Sequence, residues 1–157
     1  MKPAKVKCYG DAAALTVEES VNSGNSLTIN LELARIIDGT GPTNHYDWAN
    51  KVIFQLSSSD LYMFAGLLLG YIPSFRIEKK GEKWIEFERQ RRGSDGKGYG
   101  SLYIKGCAKG GKLCTLPAPP GKVAELSQLV LGRIEKRTEC SPELLIASIK
   151  GGCALLT

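Results

Sequence analysis

The chain has 157 residues, 43% apolar and 24% charged, with a formal net charge of +5, which suits one domain with its own core and no need of disulfide or metal staples. No apolar run reaches the roughly 20 residues of a membrane helix, since the longest, Leu61–Ile72, is interrupted by Gly66 and Gly70. Five cysteines (Cys8, Cys107, Cys114, Cys140 and Cys153) make an odd set without a Cys-x-x-Cys pair, arguing against a disulfide framework and a zinc ribbon and for free thiols.

In chain order, short strands are expected at Lys5–Tyr9 and Ala13–Glu18, divided by the turn residues Gly10-Asp11. Ser26–Ile36 alternates Leu27, Ile29, Leu31 and Leu33 against Thr28, Asn30 and Glu32, the pattern of a half-buried strand. Val52, Phe54 and Leu56 repeat it. Ser57–Asp60 then offers N-cap residues before Leu61, Phe64, Ala65, Leu68 and Leu69, whose spacing predicts a helix. Strands follow at Phe75–Lys79, Trp84–Arg89, Tyr99–Lys105 and Lys112–Leu116. After Pro117–Pro120, Val123, Leu126, Val130 and Ile134 form one apolar stripe ending in Arg133, Lys136 and Arg137, which suits the last turn of a second helix. A short third helix is expected after Ser141-Pro142, stopped by Gly151-Gly152 before a loose tail.

Four strands and a helix thus precede four strands and a longer helix. That order predicts an α+β fold of two four-stranded antiparallel sheets, ββββα written twice, each sheet closed by a helix. Residues 1–140 are expected to be a single domain, and residues 141–157 a short helix and tail. The N-terminus, Met1–Lys7, has neither the apolar stretch of a secretory signal nor a long Arg/Ser-rich import leader. A cytoplasmic location is the expectation.

The cations are uneven. Between Arg76 and Lys112 lie eleven of the 21 Lys and Arg and five of the 16 acids, and a concentrated cationic face attracts polyanions. Aromatics are interleaved there: Lys83, Trp84, Phe87, Arg89, Arg91, Arg92, Lys97, Tyr99, Tyr103 and Lys105. Cations follow phosphates while flat rings stack unpaired bases at about 1–3 kcal/mol each, the two ingredients of single-strand binding. Phe87 reads as core, and Tyr99 and Tyr103, opposite the apolar alternates, as the better stacking residues.

Catalytic chemistry finds little support. Gly106–Lys112 matches G-x-x-x-x-G-K, but Leu113 follows instead of Ser or Thr and the next segment reads as strand, so a glycine-rich β-hairpin is expected instead of a nucleotide-hydrolysing loop. His45 is the only histidine, which removes multi-histidine metal sites. Glu86 and Glu88 share a strand face and read as solvated. The expectation is a protein without enzymatic activity, cofactor or metal.

Two segments resemble the Whirly family of single-stranded DNA-binding proteins. Tyr9-Gly10-Asp11-Ala12-Ala13-Ala14-Leu15-Thr16-Val17-Glu18 is similar to the family's K-G-K-A-A-L-T-V-E-P, and Tyr46-Asp47-Trp48-Ala49-Asn50-Lys51-Val52-Ile53-Phe54-Gln55-Leu56-Ser57 to its Y-D-W-x-x-K-x-x-F-x-L-S. With the element order, the resemblance spans roughly Lys5 to Arg137. It implies two sheets packed crosswise, helices mediating a homo-tetramer, single strands bound along the sheets with little sequence readout, and roles in DNA maintenance, repair, recombination or transcription. The lysines of K-G-K are replaced by Gly10 and Ala12, so their part in DNA contact falls to Lys5 and Lys7. Tyr46 and Trp48 read as packed residues. The expected binding set is Lys5, Lys7, Lys51, Lys83, Arg89 and Lys105 for phosphates and Tyr9, Trp84, Tyr99 and Tyr103 for bases. RNA binding or annealing, or a scaffold that binds protein, stays open.

Overall fold

A computed structural model describes residues 2–38, 45–90, 100–108 and 110–156. The first half contains β1 (Lys5–Tyr9), β2 (Ala13–Val21), β3 (Leu27–Asp38), a two-residue β4 (His45–Tyr46), a 3-10 turn (Trp48–Asn50), β5 (Val52–Gln55) and helix α1 (Ser58–Leu68). The second contains β6 (Ser74–Lys79), β7 (Lys83–Arg89), β8 (Leu102–Ala108), β9 (Cys114–Ala118), α2 (Pro120–Thr138) and α3 (Pro142–Ala154). The first sheet runs β1-β2-β3-β4, with β5 also beside β3; the second runs β6-β7-β8-β9. All pairs are antiparallel. The α+β architecture matches the expectation. The first sheet, however, has five strands, not four, because His45–Tyr46 forms a bridge to β3 too short to produce a sequence pattern.

Period-two alternation sets the burial. Leu15, Val17, Ile29, Leu31, Leu33 and Phe54 of the first sheet, and Ile85, Phe87, Leu102, Ile104 and Leu116 of the second, meet with the apolar stripes of α1 and α2 in one continuous core. Strand β9 touches β1, β2 and β3 in turn. A strand that meets three consecutive strands of another sheet must run across them, so the sheets cross.

Glycine permits the closest approach. A Cβ on Gly106 would lie 3.0 Å from Leu33 Cδ2 and 2.7 Å from the Trp84 carbonyl oxygen. This explains a later strand end: expected to stop at Lys105, β8 (Leu102–Ala108) runs on through Gly106, a strand residue held under the other sheet and not the start of a turn. The following strand likewise runs to Ala118 instead of ending at Leu116, taking in Pro117. Its place at the sheet edge makes proline tolerable, since an edge strand has one side that needs no N–H donor. Helix α3 continues through Gly151-Gly152 to Ala154, against the expected stop. Buried Leu145, Ile149 and Cys153 hold it, and Cys153 occupies the space a side chain at Gly66 would take. Two glycines in a helix cost about 1 kcal/mol each, which the burial of Ile149 and Cys153 offsets.

Capping and buried polar contacts fix the helices. Ser57 Oγ accepts from the Asp60 amide at 3.1 Å and the Asp60 carboxylate accepts from the Ser57 amide at 3.2 Å, a complete capping box. Ser57→Ala is expected to cost about 1 kcal/mol in chemical denaturation, whereas Ser58→Ala, one residue on, should be close to neutral. Arg133, which the sequence suggests as a helix-terminal charge, is buried and donates to the carbonyls of Thr28 (3.0 Å) and Ser20, tying α2 to the β2–β3 hairpin. Among the described residues, no helix is long and apolar enough to cross a membrane.

Candidate nucleic-acid interface

In the first sheet, the face turned away from the core carries the row Lys5, Lys7 and Tyr9 of β1, while Cys8 points inward. Their partners on the same face are Glu18, Thr16 and Ala14 of β2, then Asn30, Glu32 and Ala34 of β3. Beyond β3 stand Tyr46, Trp48, Lys51 and Ile53. The Tyr9 and Tyr46 ring centroids are 5.8 Å apart and those of Tyr46 and Trp48 6.3 Å apart. Lys7 Nζ lies 5.5 Å from the centre of the Trp48 ring, a cation–π contact. The Tyr46 hydroxyl donates to the Gly10 carbonyl oxygen at 2.7 Å, which fixes its ring across the sheet. Between the rings the sheet residues of that face, Ala14 and Ala34, are small and buried, giving a low floor.

This face is partly accessible: Tyr9 is 60% exposed and Ile53 40%, while Tyr46 and Trp48 are half-buried. Lys5 and Lys51 are exposed and Lys7 half-buried. The lysines outnumber the glutamates of the face, Glu18 and Glu32, by one. Lys51 is held 2.9 Å from Glu32 in a partly exposed ion pair, so of the three lysines it is the one already held by a carboxylate.

The corresponding face of the second sheet is differently built. Trp84, Tyr103 and Lys105 do share it, as the alternation predicts, together with Arg76, Glu78, Glu86 and Glu88. The Arg76 guanidinium sits 4.3 Å from the centre of the Trp84 ring, covering it. Glu86 lies 3.2 Å from Arg76 and 3.5 Å from Lys105. Carboxylates outnumber cations on this face, and both cations are engaged.

The basic segment therefore does not assemble into one cationic surface among its described residues. Lys83 points to the core side, donates to the Ile53 carbonyl and lies 5.3 Å from the centre of the Phe54 ring, linking the two sheets. Arg89 donates to the carbonyls of Leu67 and Leu68, both at 3.0 Å, at the C-terminal end of α1; that end lacks basic residues of its own. Lys79 turns toward Asp60. Neither Lys83 nor Arg89 shares a face with Trp84. Arg91, Arg92, Lys97 and Tyr99 lie outside the described residues.

Tyr46 and Trp48, which the sequence reads as packed, are half-buried and lie beside Tyr9 and Lys7 on the outer face of the first sheet. Their i, i+2 spacing before Lys51 is itself an aromatic–basic strand pattern, but the intervening Asp47 and the short bridge hide it. Of the Gly106–Lys112 motif, residues 106–108 end β8 and residues 110–112 precede β9, so strand and not helix follows it, as expected. Burial pushes the Cys8, Cys114 and Cys153 thiols up, and all five cysteines are free. Inert, protonated thiols follow for those three.

No protein-family model matches the chain, and no curated protein matches it in sequence. Solved structures do share its fold. The crystal structure of WHY1 from Arabidopsis thaliana aligns over 98% of this chain and 94% of its own, at 15% identity and a TM-score of 0.57. The structure of the plant transcriptional regulator PBF-2 aligns over 82% of this chain and 90% of its own, at 19% identity and a TM-score of 0.50.

Proposed function

We propose that this chain, which has the Whirly fold of those two structures, is a non-enzymatic binder of single-stranded DNA with little sequence readout. The observation that carries the reading is the row Tyr9, Tyr46 and Trp48 on an accessible sheet face with Lys5, Lys7 and Lys51 around it. Every base has a flat face, so rings hold single strands without choosing among sequences, whereas a duplex keeps its base faces stacked away. The three lysines follow the phosphates. Trp84, Tyr103 and Lys105 form a weaker second track, because Arg76 and Glu86 must first give way. Lys83 and Arg89 act as struts in this reading.

In the cell the reading is of a nucleoid-associated cytoplasmic protein in DNA maintenance, repair, recombination or transcription; the regulator PBF-2 supports the last of these. A homo-tetramer is part of it, supported by the exposed apolar residues Leu144, Ile146, Leu155 and Leu156 at and after α3.

Gel-shift titration of an unstructured oligo-dT, with a matched duplex and an RNA of the same length as competitors, tests the proposal. Three phosphate contacts to a single strand give a slope of about −2 in log K against log salt, or about a 20-fold loss between 50 and 200 mM. Absence of a complex at 50 mM, or a preference for the duplex, contradicts the reading. A preference for the RNA moves the function to RNA.

A further inference from the structure

A groove of about 310 Å³ lies at the edge of the first sheet, between β3, the Trp48–Asn50 turn and the tip of the β8–β9 hairpin. Arg35 of β3 lines it, as does Lys112 of the hairpin with Gly110 and Gly111. Arg35 is half-buried, yet no carboxylate among the described residues pairs with it. The carboxylate that lines the groove, Asp47, is turned to Asn50, whose Nδ2 donates to both of its oxygens at 3.0 and 3.2 Å. The guanidinium lies close enough to Cys114 to pull against the upward push of burial on that thiol. An arginine keeps its charge at any physiological pH, and a half-buried charge without a partner is costly unless an anion completes it. Leu33 and Val52 add an apolar wall.

We propose that this groove is a phosphate-binding site that holds a single nucleotide, its phosphate between Arg35 and Lys112 and its sugar and base against Leu33 and Val52. A forked guanidinium binds phosphate through two N–H groups and the lysine adds a second charge. The volume is at the lower end for small-ligand pockets and takes one nucleotide, not a run of them. The hairpin tip contributes a lysine here without the helix that nucleotide hydrolysis needs, so the site binds and does no chemistry. Trp48 belongs to the same turn as Asn50, so the groove adjoins the aromatic row around the edge of the sheet, on the other face of β3. The proposal rests on the nucleic-acid reading in taking the phosphate to be a nucleotide's.

Calorimetric titration with dTMP, with thymidine, and with oligo-dT bearing either a 5′-phosphate or a 5′-hydroxyl tests this. Wild type is expected to bind dTMP and not thymidine, and Arg35→Gln and Lys112→Gln each to weaken dTMP by about tenfold or more. Lys112 is exposed, so its variant folds even if the Arg35 variant does not. A gain in affinity from the 5′-phosphate that Lys112→Gln abolishes identifies a strand end as the source; a response of dTMP alone identifies the free nucleotide. If dTMP and the 5′-phosphate are both indifferent to both substitutions, or thymidine binds as well as dTMP, the site is refuted. The 5′-hydroxyl oligonucleotide separates the two proposals: if it binds while neither dTMP nor a 5′-phosphate adds anything, the groove falls and the strand-binding face stands, and binding of dTMP without the 5′-hydroxyl oligonucleotide removes the face and leaves the groove.

Discussion

Replacing Tyr9 and Trp48 together by alanine is expected to weaken oligo-dT binding by roughly two to four orders of magnitude. Each base stacked on a ring contributes about 1–3 kcal/mol, and each 1.4 kcal/mol is a factor of ten. The single variants should each lose only about tenfold, since Tyr46 stays in place with its hydroxyl on the Gly10 carbonyl. Trp48→Ala also frees Lys7 from its 5.5 Å contact with the ring, leaving that cation available to phosphate and softening the single loss. Circular dichroism should be unchanged for Tyr9→Ala, because this side chain is largely exposed. Fluorescence anisotropy with labelled oligo-dT reads the effect. A double variant that binds within threefold of wild type would mean that the rings pack and do not stack bases.

The second large effect concerns the fold that holds this face in place. Phe87→Ala is expected to cost about 3–5 kcal/mol. The Phe87 ring is fully buried, sits 4.8 Å from that of Phe64 on α1, and projects from β7 beside Phe75 and Ile104 on the flanking strands. It therefore joins the second sheet to the helix, and truncation leaves a cavity that neither sheet nor helix can close alone. Against a total of about 5–15 kcal/mol for a domain, that is a large share, equivalent to a fall in Tm of about 6–20 °C for this length. Differential scanning calorimetry checks it. A loss under 1 kcal/mol would contradict the packing described.

Much of this architecture is legible in the chain because burial in sheets repeats every second residue. Leu27–Leu33 and Trp84–Phe87 show their inner and outer faces without any structure. The capping box at Ser57–Asp60 and the apolar stripe Val123–Ile134 mark their helices equally well. What the sequence does not reveal depends on contacts between distant residues. Gly106 and Gly151-Gly152 read locally as breakers, but close approach to Leu33 and burial of Cys153 keep both segments regular. Charge is harder still, since a count along the chain takes no account of direction. Lys83 and Arg89 lie among the densest cations and are consumed by carbonyls of β5 and α1. Lys5, Lys7 and Lys51, from two separated segments, meet on one surface with the rings of Tyr46 and Trp48.

Photocrosslinking oligo-dT that carries 5-iodouracil, followed by mass spectrometric mapping of the attached peptides, tests the assignment of that surface most directly. Adducts are expected on Tyr9, Tyr46 and Trp48, with those on Trp84 or Tyr103 fewer and lost first as salt is raised. Adducts confined to α2 and α3, or to the second sheet alone, would contradict it.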